Sequence, residues 1–139
     1  MKPLIFVDSD IFLDLFLGRQ PFVNEAKRLF AKAETGKVTI HTTPLVLANI
    51  FYVLRKQYDC EALKIALKKI RQIISVIPID EASVDNALIS SFSDFEDALQ
   101  CQAALAAGMR AIITRNIKDY RTATIPAMSA GDFLAQFTA

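Results

Sequence analysis

An α/β fold built on a mainly parallel sheet is predicted for this chain by three features. Short, continuous apolar runs such as Leu4 to Val7 have the pattern of strands buried on both faces. Longer stretches with helical periodicity alternate with those runs, as in βαβ units. The runs end in acidic or hydroxyl residues, and Gly and Pro fall at the joints between elements.

Taken in order, Leu4 to Val7 reads as the first strand. Ile11 to Leu17 reads as a short helix stopped near Gly18. Pro21 suits the first turn of a second helix reaching about Glu34, with Gly36 closing it. Lys37 to His41 reads as the second strand. Thr43 suits the N-cap and Pro44 the first residue of a third helix, whose apolar face holds Leu47, Ile50, Phe51 and Leu54. A turn at Tyr58-Asp59 leads to a fourth helix, Glu61 to Ile74. Val76 to Ile79 is the third strand, and Pro78 assigns it to the edge of the sheet. Asp80 to Ser90 forms a fifth helix. Ser93 or Asp94 caps a sixth, which Gly108 ends, and Ser93-x-x-Glu96 has the form of a capping box. Ala111 to Thr114 and Ile125 to Met128 are the last strands, and Ala130 to Phe137 is the closing helix. With 139 residues and no linker or repeat, residues 1–139 are expected to form one domain.

Hydrophobic residues make up 53% and charged residues 22%, which excludes a disordered chain. The apolar share exceeds the need of a small core, so some of it is expected to be covered by another chain, in a homodimer or with a small protein partner. The net charge of +1 does not announce a nucleic-acid binder, yet acids gathered at a metal site would mask a basic surface elsewhere. Cys60 and Cys101 have no motif spacing and are read as buried free thiols of a reducing cytoplasm. His41, the only histidine, reads as an ordinary strand-end residue. The opening apolar run is too short to span a bilayer and is broken by Asp8 and Asp10, so no membrane association is expected.

Chemistry concentrates in short polar segments where strands end or helices begin, points that meet along one edge of an open parallel sheet. Asp8 directly follows the first strand; it can hold a cation in the sheet crevice or serve as a helix N-cap together with Ser9 and Asp10. Asp94 and Asp97 share a face of the sixth helix's first turn. Asp94 suits capping and dipole compensation. Asp97 precedes a strongly apolar stretch, so it should be half-buried and in need of a partner. Asn116 and Asp119 follow the strand Ala111 to Thr114 and offer oxygen ligands, or simply form a turn. Arg115, Lys118 and Arg121 around them can neutralise phosphate oxygens or pair with the acids. Lys64, Lys68, Lys69 and Arg71 form a basic face on the fourth helix, by default a solvated one. Carboxylates converging on one edge repel one another unless a cation neutralises them, and hard oxygen ligands select Mg²⁺ or Mn²⁺. Metal-assisted phosphodiester hydrolysis is therefore the leading expectation.

Read together, four segments give a specific pattern. They are Phe6-Val7-Asp8-Ser9-Asp10-Ile11-Phe12-Leu13-Asp14, Thr43-Pro44-Leu45-Val46-Leu47-Ala48-Asn49-Ile50, Asp94-Phe95-Glu96-Asp97-Ala98-Leu99 and Thr114-Arg115-Asn116-Ile117-Lys118-Asp119-Tyr120. In their order and spacing the chain resembles the PIN-domain proteins, the fold used by VapC-type toxins of bacterial toxin–antitoxin pairs. The resemblance implies a five-stranded parallel sheet sandwiched between helices, an acidic Mg²⁺/Mn²⁺ site and endoribonuclease activity on RNA. By position, Asp8 is similar to that family's first metal ligand, Asp97 to the ligand on the late helix and Asp119 to the final acid, with Asn116 beside it. Thr114 resembles the hydroxyl residue that supports the first acid. Many members carry Glu in the third helix where this chain has Asn49; its amide oxygen can still coordinate a metal or orient water, while Asp94 or Asp10 could supply the missing charge. The chain resembles a subgroup with this Asn and the Asp-Phe-Glu-Asp-Ala run. An antitoxin partner is implied as well. Two alternatives stand beside this reading. One is a degenerate module that binds RNA or protein without cutting. The other is a small phosphatase with Asp8 as nucleophile, because Asp8-Ser9-Asp10 also resembles the nucleophile loop of haloacid-dehalogenase-type phosphatases, although Phe12 stands where that loop has Thr or Val.

Overall fold

The computed structural model describes residues 2–137. It contains a five-stranded parallel sheet in the order β3-β2-β1-β4-β5. The strands are β1 (Leu4–Val7), β2 (Thr39–Thr42), β3 (Ile74–Val76), β4 (Ala111–Ile113) and β5 (Ala127–Met128). The helices are α1 (Ser9–Leu17), α2 (Val23–Glu34), α3 (Pro44–Leu54), α4 (Cys60–Arg71), α5 (Glu81–Leu88), α6 (Phe95–Ala106) and α7 (Ala130–Gln136), with a 3₁₀ turn at Ile117–Tyr120. From β1 the chain winds outward to β3, then crosses back to β4 and β5. With right-handed crossovers, α1 to α4 cover one face and α5 and α6 the other, giving a three-layer α/β sandwich. The reversal of winding lies between β1 and β4, so a crevice opens outside their carboxyl ends.

Central strands of this kind must be apolar throughout. Ile5, Phe6, Val7, Ile40, Ile112 and Ile113 are all fully buried. Register is fixed by Phe6 facing His41 on one side and Ile112 on the other. The ladder continues past β1, because the Asp8 N–H donates to the Ile113 carbonyl at 3.0 Å. Thr43 caps α3 as expected, accepting the Val46 N–H at 3.2 Å, and Pro44 opens the helix. The left-handed φ of 62° at Gly18 closes α1, a conformation a side chain would strain.

Several boundaries differ from expectation. The second helix begins at Val23, not Pro21, and Pro21 lies in the preceding turn. Strand β2 runs to Thr42, and Lys37 lies outside it. The fourth helix stops at Arg71, and β3 takes up Ile74, which pairs with Ile40; Pro78 lies beyond the strand, and β3 is an edge strand as Pro78 indicated. Of the two caps expected for α6, Asp94 is the one used, accepting the Asp97 N–H at 2.9 Å. Cys60 is exposed at the start of α4, contrary to the buried thiol expected there. Cys101 is buried, and burial pushes its thiol up to about 11. No helix among the described residues is long and apolar enough to cross a membrane.

Candidate active site at the sheet's switch point

Asp8 occupies the crevice between β1 and β4, and its carboxylate is almost enclosed, at 8% exposure. Of its two expected roles, the N-cap is the one visible in its contacts. Oδ1 accepts the Ser9 N–H at 2.8 Å and so caps α1. Oδ2 faces the hydroxyls of Thr114 and Tyr120, each at 3.1 Å. Burial raises the Asp8 pKa; the bonds from Ser9, Tyr120 and Thr114 oppose that rise, and the charge of Glu96 adds to it.

Asp97 stands in the first turn of α6, half-buried as its apolar neighbourhood predicts. Its Oδ1 lies 3.4 Å from the Tyr120 hydroxyl. Burial, then the charges of Asp94, Asp8, Asp119 and Glu96, push its pKa up to about 7. The field at Asp97 thus records which acids gather here: Asp8 from the end of β1, Asp94 and Glu96 from the start of α6, and Asp119 from the exposed 3₁₀ turn after β4. Asp94 contributes charge but spends one oxygen on capping α6.

Asp10 stands beside Asp8 and binds the loop after β4. Its Oδ2 accepts the Arg115 N–H at 2.8 Å, and burial followed by the charge of Asp8 raises its pKa to about 6. The Arg115 guanidinium is already engaged: it grips Asp14 through two bonds of 2.9 Å and lies 3.9 Å over the ring of Phe22. Thr114 links the two carboxylates of the first segment, at 3.1 Å from Asp8 and 3.4 Å from Asp10, and its hydroxyl oxygen accepts the Asn116 N–H at 3.1 Å. The Asn116 side chain is exposed and makes no cap bond. Asn49 reaches the site's rim from α3, with Nδ2 donating to Ser9 Oγ at 3.3 Å. Lys118 and Arg121 are exposed beside the 3₁₀ turn.

Two residues of this centre were not expected from the sequence. Asp14 only ends a motif in the sequence pattern, although a carboxylate inside the otherwise apolar Ile11–Leu17 helix signals a buried partner. Tyr120 ends its sequence segment without a role of its own there, and its hydroxyl is the one group among the described residues that reaches both Asp8 and Asp97.

The donor set is one of hard oxygens and suits Mg²⁺ or Mn²⁺ in chemistry. Asp10 Oδ1 is buried with no hydrogen-bond partner among the described residues, a further sign of negative charge short of compensation. Among the described residues, however, no three Asp, Glu, His or Cys side chains converge tightly enough to enclose an ion as they stand.

A doubly wound parallel sheet with acids gathered at its switch point defines a class of α/β proteins, and the sequence narrows it. The sequence profile of the PIN domain matches residues 5–118, so the chain belongs to the PIN-domain family. Asp119 and Tyr120 fall just beyond the matched span. Solved structures carry the same fold. A protein from Pyrobaculum aerophilum superposes with a TM-score of 0.68 at 16% identity, covering 99% of this chain and 98% of its own. A toxin–antitoxin complex from Klebsiella pneumoniae contains a chain with a TM-score of 0.67 at 22% identity, covering 91% and 97%. VapC20 of Mycobacterium tuberculosis, a toxin that cleaves the sarcin–ricin loop, gives 0.62 at 20% identity, covering 96% of each chain. Comparison with curated protein sequences gives no match.

Proposed function

We propose that this chain is a metal-dependent endoribonuclease hydrolysing RNA phosphodiester bonds, and that it acts as the toxin of a bacterial toxin–antitoxin pair in the cytoplasm. The observation that carries the reading is the buried Asp8 at the switch point, facing a half-buried Asp97 whose pKa is raised to about 7 by burial and by neighbouring acids. Such a concentration of unpaired negative charge is costly unless a cation is recruited. Asp8, Asp97 and Asp119 would hold Mg²⁺ or Mn²⁺, with Asp94 adding charge. When bound, the ion supplies positive charge to the phosphate and makes a nearby water more acidic.

The chain's own residues set the stage for that chemistry. Thr114 and Ser9 orient the Asp8 carboxylate through hydrogen bonds. Arg115, pinned by Asp14 and bound through its N–H to Asp10, fixes the loop that leads to Asn116 and Asp119. Asn49 and Asn116 can orient water or a phosphate oxygen with uncharged amides. Lys118 and Arg121 lie free to meet the RNA backbone. Of the two chemistries open to Asp8, hydrolysis without a side-chain nucleophile suits the family and the Asp8 carboxylate, which already has three hydroxyl or N–H groups against it.

The groove between α3 and α4 offers a partner surface. Leu47, Phe51 and Leu67 line it, and Lys64, Lys68 and Arg71 edge it. A small antitoxin, or a second copy of the chain, would cover that apolar surface. An antitoxin could silence the site by placing an Arg among the carboxylates.

A second reading has its own support. Asn49 withholds a charge, and no three acids close on one point among the described residues, which suits a module that binds RNA without cutting it. Incubating the purified chain with RNA and Mn²⁺, beside Asp97→Asn and an EDTA control, separates the two. Metal-dependent cleavage lost in the variant supports the nuclease. RNA binding that persists in EDTA with no product under any condition would replace it with the binding module. Gel filtration at high concentration tests the homodimer: a mass of one chain refutes it.

A further inference from the structure

We propose that Tyr120 is a positioning residue for the cation site, its hydroxyl tying the carboxylate of Asp8 to that of Asp97 so that both face one ion. The inference rests on the nuclease reading above and deepens it.

The ring gives the hydroxyl its precision. Tyr120 is 2% exposed and packs edge-on against Phe92 with centroids 6.0 Å apart. Packing alone would be served by Phe; the buried hydroxyl needs a separate explanation, since an unpaired one would be costly. Its partners are not backbone groups but two acids from separate elements, Asp8 Oδ2 at 3.1 Å and Asp97 Oδ1 at 3.4 Å.

A phenol carries a single hydrogen and can donate to one oxygen at a time. The shorter contact is to Asp8, so the phenol oxygen is left facing the Asp97 carboxylate with lone pairs against lone pairs. That arrangement is relieved either by a proton on Asp97 donated to the phenol oxygen or by a cation beside the carboxylate. The same count on Asp8 is informative. A carboxylate offers about four acceptor sites. Thr114 and Tyr120 crowd onto Oδ2, while Oδ1 takes only the Ser9 N–H. The hydroxyls thus hold the carboxylate by one oxygen and leave acceptor capacity on the other. Hydrogen bonds to ligating carboxylates commonly set their orientation in this way, and their loss costs about 10- to 100-fold in metal affinity.

The test is direct Mn²⁺ binding by calorimetry on the full chain, wild type against Tyr120→Phe, with folding monitored by circular dichroism. The expected result is a Kd weakened by about 10- to 100-fold in a variant that stays folded. A spectroscopic readout needs no change at Tyr120. In the Tyr52→Phe/Tyr58→Phe double variant, which replaces two exposed rings, Tyr120 is the only tyrosine left. Adding Mg²⁺ should shift its near-ultraviolet absorbance as Asp8 gives up charge to the ion. Equal Kd values for wild type and Tyr120→Phe, or a Tyr120 silent to Mg²⁺, overturn the assignment while leaving the nuclease reading in place. A wild-type chain that binds no Mn²⁺ overturns both.

Discussion

Replacing Arg115 with Ala tests how the loop after β4 is held. In the native chain the Arg115 guanidinium makes two 2.9 Å bonds to Asp14, a carboxylate whose side chain is 1% exposed. The only other cation near that carboxylate among the described residues is Arg19, at 3.8 Å and 39% exposed. Removing one partner of a buried pair strands the other charge, which costs ~3–5 kcal/mol. Arg115 is 29% exposed and Arg19 remains, so the low end, about 3 kcal/mol, is expected. With an unfolding entropy of ~2.1 cal/mol/K per residue, that loss lowers Tm by roughly 10 °C for a chain of this size. Urea unfolding followed by circular dichroism, with Cm and m fitted separately, measures it. The companion is Asp14→Leu/Arg115→Met, which replaces the whole pair with apolar groups and should recover stability to within ~1 kcal/mol of wild type. A single variant that loses less than about 1 kcal/mol, or a double variant as unstable as Arg115→Ala, would refute the reasoning, because it would mean that Asp14 is not a charge dependent on Arg115.

Two further outcomes follow from the acids themselves. The carboxyls of Asp97 and Asp10 titrate at about 7 and about 6, both above the ordinary 3.8. The folded chain binds these protons more tightly than the unfolded chain does, so their contribution to stability is greatest at low pH and is lost as pH rises through those values. The metal-free thermal midpoint should therefore fall between about pH 5.5 and pH 8, and Mg²⁺ should restore it mainly at the higher pH; a midpoint that rises over that range contradicts the burial of these groups. Asn49→Glu adds a carboxylate at the rim of the pocket in place of an amide that bonds Ser9. It should tighten Mn²⁺ binding measured by calorimetry, and unchanged or weaker binding would place Asn49 outside the site.

The architecture was legible because central parallel strands have no polar face. Leu4–Val7 and Ala111–Ile113 are continuous apolar runs, and both are buried strands. Helix starts were legible where a side chain does the capping, as at Thr43 and Asp94. Boundaries failed where tertiary pairing decided them: Ile74 fits a helical period, yet it is drawn into the sheet beside Ile40. In the site, the adjacency of Asp8 and Asp97 could be expected from strand ends and helix starts. The division of labour could not. Nothing in the spacing of Asp8, Asp10 and Asp14 tells which carboxylate meets Arg115 and which meets Tyr120, because those partners lie more than a hundred residues away and are selected by packing. Cys60 shows the same limit in the other direction, a small residue on an exposed helix start where no neighbour covers it.

The centrality of β1 has a consequence for timing. This strand is laid down first, yet its carboxyl-end acid is completed by donors 106 and 112 residues later in the chain. Until Thr114 and Tyr120 arrive, Asp8 has neither its neighbouring strand β4 nor the hydroxyls that orient it. A protein growing from its amino terminus cannot assemble this pocket as it emerges; nearly all of the domain must clear the ribosome before the acids can be set. For the ribonuclease proposed above, the topology would delay activity until synthesis of the fold is almost finished, and an antitoxin made alongside it would gain that interval in which to bind.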